Sequence, residues 1–169
     1  PGRVAHGAAG RALAREARIE PFAEGVHKVT IVGRDLFFYW LGGISNNLHY
    51  SIDQEFNPQF PHNYTTPPVR LTERSLVLDV GACEGLFAFR ILKARQAARV
   101  ICFEPSAKTV HYTRLAAEAN GVADRLALET MAVSKSSGRV AFLEEGGRPD
   151  SHSIQAGPAE GAADTVECV

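Results

Sequence analysis

What the chain lacks narrows its reading first. It has three cysteines in 169 residues, Cys83, Cys102 and Cys168, an odd number with no C-x-x-C spacing. That supports neither a disulfide framework nor a cysteine zinc site, and reduced thiols in a cytoplasmic setting are the simplest account. No apolar run approaches the roughly twenty residues that a membrane span requires, and the apolar stretch of a secretory signal is missing, so no membrane partner is expected. Charge of one sign is missing too: 18 basic against 19 acidic side chains leave a formal net charge of −1. A nucleic-acid surface would show as a basic excess or stripe. The nearest approach is Arg3, Arg11, Arg15 and Arg18, interrupted by Glu16 and followed by Glu20, which reads as a solvated helical arm. His49 and His62 have no carboxylate ligand in register between them, so no metal site is expected.

What is present is organised around one stretch. Leu76, Val77, Leu78 and Val80 form a short apolar run broken by Asp79, which reads as a buried parallel strand. It ends in Gly81-Ala82-Cys83-Glu84-Gly85 and runs into a helical pattern carrying Phe87, Phe89, Ile91 and Leu92. A strand, tight glycine turn and helix form a nucleotide cradle: the glycines let the backbone turn sharply and approach a ligand, and the helix start presents unpaired N–H groups. A second apolar run, Val100 to Phe103, ends in Glu104, nineteen positions after Gly85. An acid at that distance is placed to accept hydrogen bonds from ribose hydroxyls. Glu84 inside the turn and Asp79 below it would repel a pyrophosphate, so a zwitterionic or cationic adenosine ligand fits better.

Read in order, 1–68 is an N-terminal unit and 69–169 a partial nucleotide-binding domain. Arg11 to Glu20 has helix-forming composition, and Val26 to Leu41 alternates as a hairpin about Gly33 to Asp35. The stretch 42–68 is turn-rich and aromatic, and reads as a long functional or packing loop. Ser106 suits an N-cap for a helix from Lys108 to Asn120, which Gly121 ends. A third core strand spans Leu126 to Val133, with Ala132 as a candidate wall for adenine. Arg139 to Leu143 and Thr165 to Val169 read as strands, and 144–163 as a flexible loop rich in glycine, proline and serine.

D-V-G-A-C-E-G at 79–85 followed by Phe87, F-E-P at Phe103 to Pro105, and the Asn120-Gly121 pair resemble the FkbM-type S-adenosylmethionine-dependent methyltransferases. The resemblance spans roughly Val69 to Val140. It implies an α/β, Rossmann-like doubly wound sheet of the class I methyltransferase type with S-adenosylmethionine as cofactor, and an N-terminal hairpin ahead of it. It also implies that Asp79, Gly81 and Gly85, with Ala82 and Cys83 between them, hold the methionine end, and that Glu104 holds the ribose. Set against that pattern, the sheet looks truncated after its third core strand, or completed by a second chain.

The function so implied is methyl transfer to a hydroxyl oxygen of a small molecule or sugar. A base would help, and His49, His62, His111 and His152 are the nominal candidates, none of them preferred. Two other readings stay open. A nicotinamide-dependent oxidoreductase shares the strand, turn, helix and distant acid, although the turn lacks G-x-G-x-x-G spacing. A non-catalytic cofactor-binding fragment is the third.

Overall fold

The computed structural model describes residues 17–44, 46–143, 153–155 and 165–169. Three three-stranded sheets and three α-helices make up the described fold, in the order β1 (Ala17–Ala23), β2 (Val26–Ile31), β3 (Leu36–Leu41), α1 (Asn46–Phe56), β4 (Leu76–Val80), α2 (Leu86–Lys93), β5 (Arg99–Phe103), α3 (Ala107–Ala119), β6 (Leu126–Glu129), β7 (Gly138–Leu143), β8 (Ser153–Gln155) and β9 (Thr165–Cys168).

The first sheet is an antiparallel meander, β1-β2-β3. The hairpin between β2 and β3 pairs Val26 with Leu41 and Ile31 with Leu36. Its first strand corrects the expected helix over Arg11 to Glu20: residues 17–20 are extended, with Ala17 opposite Ile31 and Ile19 opposite Val29, while 11–16 lie outside the described residues. Ala17 and Ile19 pack against the core and Arg18 and Glu20 face outward. That two-residue alternation outweighs the helical propensity of the composition.

A second correction concerns 42–68, which contains the three-turn helix α1. Leu48, Ile52 and Glu55 are buried at intervals of four and three, one helical face. The rest of the stretch, after α1, is a chain of turns pinned by Asn63, whose side chain donates to Gln54 O at 2.8 Å and accepts from Thr65 N at 2.9 Å.

The second sheet is parallel, β4-β5-β6, with α2 crossing from β4 to β5 and α3 from β5 to β6. Successive strands add on the same side, so right-handed crossovers place both helices on one face. A doubly wound sheet needs the strand order to reverse, and that reversal is not found among the described residues. In consequence β4 is an edge strand half open to solvent rather than a buried one. Leu76, Leu78 and Val80 are 63, 61 and 59% exposed, while Val77 packs inward.

The meander covers the helices: β3 packs on α2 and α3, and one core joins Phe38, Trp40, Phe89, Ile91 and Leu92. Asn120 locks this seam. Its carbonyl oxygen accepts from Phe37 N at 3.1 Å and its amide donates to Phe37 O at 2.7 Å. The same residue caps α3, so a helix stop and an interlayer clasp share one side chain. The third sheet, β8-β7-β9, is antiparallel. Of the expected loop at 144–163 only 153–155 are among the described residues, and they correct it there: they form the strand β8, paired with β7.

Candidate functional site

The turn after β4 is held from three sides. Gly81 N and Ala82 N both donate to Phe103 O, at 2.9 and 3.1 Å, which wraps the turn over the end of β5. Gly81, Cys83 and Gly85 all take positive φ, at 75°, 46° and 72°. For the cysteine that conformation costs about 1 kcal/mol or more, and it is fixed by bonds on both of its peptide groups. Cys83 N donates to Glu104 Oε2 at 3.0 Å, and Cys83 O accepts from Thr113 Oγ1 at 3.3 Å. The other oxygen of Glu104 accepts from Ser106 N at 2.9 Å. The acid at the end of the second strand is therefore tied directly into the glycine turn.

Gly85 is the N-cap of α2, and no side chain caps that helix start. The absence of a side chain at Gly85 is a packing requirement. A Cβ there would lie 2.7 Å from Thr113 Cγ2 and 3.2 Å from Phe89 Cζ. Gly81 is the opposite case, since nothing lies within 4 Å of a Cβ added there; the turn is open on that side.

The open side faces a cavity of about 510 Å³. Asp79, Gly81, Ala82, Cys83 and Glu84 line it from the turn, and Ser51, Gln54 and Glu55 line it from one face of α1. Gly85, Glu104 and Ala132 do not line it. Gly85 and Glu104 brace the turn from behind, and Ala132 is buried against β9, where its N donates to Glu167 O at 2.8 Å. His49, His62 and His111 do not line it either, and His152 lies outside the described residues.

The sequence reading missed the α1 wall. Its signal was there in the spacing of Leu48, Ile52 and Glu55, hidden by flanking asparagines and aromatics that read as turn. Tyr64, one of the aromatics of the 42–68 stretch, reaches the cavity wall. It is 59% exposed and meets Phe87 edge-on at 5.6 Å at the cavity wall.

Electrostatically the cavity is short of positive charge. Burial raises the Asp79 carboxyl to a pKa of about 6, with the nearby charges of Glu55 and Glu104 adding to the shift and a Cys102 thiol contact opposing it. Glu55 is raised as well, by burial, in spite of its ion pair with Arg90. Burial first, and then Asp79, push the Cys102 thiol far up, so it stays protonated at neutral pH. A carboxyl whose folded pKa exceeds its ordinary value of 3.8 binds its proton more tightly folded than unfolded. The stability due to that proton is whole below about pH 4 and is lost as pH rises through about 6. Asp79→Asn is therefore expected to stabilise the chain at pH 7.5 by roughly 1 to 3 kcal/mol. The gain should vanish at pH 4, and urea midpoints at the two pH values check this.

No family model matches the chain. A 76-residue stretch is 34% identical to the 2-O-methyltransferase NoeI of Sinorhizobium fredii (strain NBRC 101917 / NGR234), over 45% of this chain and 30% of that protein. Among solved structures, a SAM-dependent methyltransferase from Agrobacterium tumefaciens superposes with a TM-score of 0.40 at 11% identity, over 73% of this chain and 42% of that one. The chain thus spans well under half the length of either protein. Among the described residues no helix is long and apolar enough to cross a membrane, and no group of three or more His, Cys, Asp or Glu side chains could hold a metal ion.

Proposed function

We propose that this chain carries the cofactor-binding part of an S-adenosylmethionine-dependent O-methyltransferase of FkbM type, acting on a hydroxyl of a small molecule or sugar. The observation that carries this reading is the bond from Cys83 N to Glu104 Oε2, which joins the glycine turn to the acid of the second strand in one rigid unit. The partial identity to a named 2-O-methyltransferase supports it.

The residues present suit the cofactor. S-adenosylmethionine, when bound, supplies a methyl group already activated on a sulfonium sulfur. A cavity lined by Asp79, Glu84 and Glu55 favours a ligand with positive charge and disfavours a dinucleotide's pyrophosphate. The open side of Gly81 lets a ligand approach the backbone closely. In this reading Asp79 and the turn hold the amino-acid end. Glu104 holds the turn, its two oxygens accepting from Cys83 N and Ser106 N, and so sets the shape of the backbone that receives the ligand. The face of α1, with Tyr64 and Phe87, walls the space left for the acceptor. The protein's contribution to rate is chiefly alignment of acceptor oxygen, methyl carbon and sulfur. Pairing of the open edge of β4 with a second chain belongs to the same proposal, as does a cytoplasmic setting.

Calorimetric titration with S-adenosylhomocysteine and with NAD tests it. Binding of the first and not the second is expected, and the reverse would overturn the assignment. Glu104→Ala is expected to weaken S-adenosylhomocysteine by about 1 to 3 kcal/mol, roughly five- to 150-fold.

A further inference from the structure

Glu55 is an unusual residue for a helix face that packs on a core. It is buried, with a side chain only 5% exposed, and it belongs both to the seam between α1 and α2 and to the cavity wall. Its partner is Arg90, whose Nε lies 2.9 Å from Glu55 Oε2. The guanidinium does not grip the carboxylate with two parallel bonds. Its other nitrogens turn away, Nη1 to Gln96 Oε1 at 3.4 Å and Nη2 to Thr65 Oγ1 at 3.4 Å. The ion pair therefore engages one carboxylate oxygen. Among the described residues Oε1 of Glu55 has no hydrogen-bond donor.

A pair made only to hold two helices together would be expected to use the forked geometry that arginine and carboxylate favour. A carboxylate held by one oxygen, in a side chain that lines a cavity, instead leaves its other oxygen as an acceptor for a group that fills that cavity. The charged groups around it are Asp79 and Glu84 on the cavity wall and Arg90 behind it. Three acids against one base leave the wall net negative, and a cationic group in the cavity would offset the excess.

We propose that Glu55 is a ligand-contacting residue of this cavity, its Oε1 accepting from the α-ammonium group of the amino-acid end of the cofactor while Arg90 fixes its orientation. This rests on the S-adenosylmethionine reading above and adds a residue from outside the glycine turn and the second strand. In this arrangement α1 is one jaw of the site, and the turn after β4 is the other.

The test is calorimetry on the full 169-residue chain with two ligands, S-adenosylhomocysteine and its analogue lacking the α-amino group. The wild-type chain is expected to bind the deaminated analogue at least about ten-fold more weakly. Glu55→Gln is expected to lose about ten-fold in affinity for S-adenosylhomocysteine and less than about two-fold for the analogue, so that the gap between the ligands narrows. A structural role alone would weaken both equally. Equal losses, or an unchanged affinity for S-adenosylhomocysteine, would overturn the inference and leave the functional reading standing. No binding of S-adenosylhomocysteine by the wild-type chain would overturn both. If Glu55→Gln does not fold, Gln54→Lys, on the same α1 face and outside the Arg90 pair, puts a competing ammonium beside Glu55. It is expected to reduce affinity for S-adenosylhomocysteine and spare the analogue, and equal effects on the two would again overturn the inference.

Discussion

A Gly85→Ala chain is expected to lose about 2 to 5 kcal/mol of stability, a fall of roughly 5 to 15 °C in the unfolding midpoint. Two costs add. Gly85 sits at φ 72°, where a Cβ costs about 1 to 2 kcal/mol, and the new methyl would press 2.7 Å from Thr113 Cγ2, an overpacking cost of about 1 to 3 kcal/mol. Thr113 and Phe89 are both buried, so neither can swing aside. Gly81→Ala provides the contrast. Its φ of 75° brings the same backbone cost, but the methyl enters open space, so the loss should stay near 1 to 2 kcal/mol and fall more heavily on ligand binding. Thermal melts of the two variants, side by side, separate a glycine required for packing from one required for access. Equal losses would contradict the geometry described for the turn.

The second large effect is expected from Arg90→Leu. It removes the cation from a pair whose side chains are only 12 and 5% exposed and leaves Glu55 charged in the interior. Breaking a buried pair from one side costs about 3 to 5 kcal/mol. The loss should depend on pH in a definite sense. Burial already raises the Glu55 carboxyl, and Arg90 is what holds it down. Without Arg90 the folded state favours the protonated acid more strongly, so the variant loses stability as pH rises and recovers part of it on acidification. Urea midpoints at pH 5 and pH 8 should therefore differ more for the variant than for the wild type. A second change, Glu55→Leu, should restore most of the loss at pH 8, since an apolar pair needs no compensation for desolvation.

How much of this was legible in the sequence depends on the range of the forces involved. The glycine turn could be read because it obeys local backbone rules, whereas the bonds that tie Glu104 to Cys83 N and Ser106 N depend on how β5 lies beside the turn and have no sign in the spacing. The β2–β3 hairpin was legible for the same reason, in its alternation about Gly33 to Asp35. Residues 17–20 misled, because alanine, arginine and glutamate carry helical propensity and only pairing with β2 makes them a strand. In α1 the apolar spacing was present, but Asn46, Asn47 and the following aromatics resembled turn chemistry. Glu55 gave no local sign of its role, because that role depends on Arg90, thirty-five positions later, and on the cavity across from it. The open edge of β4 follows from the incomplete strand pattern, but which of its faces is exposed does not, since a strand's own composition does not say which face will be covered.

The seam closed by Asn120 has a practical consequence. The chain's single tryptophan, Trp40, lies on β3 at that seam, 2% exposed, with its indole N–H bonded to Gly43 O at 3.1 Å. It does not line the cavity beside Gly81. Its fluorescence is thus a built-in optical gauge of whether the N-terminal layer stays docked, and it reports that event apart from whatever occupies the cavity.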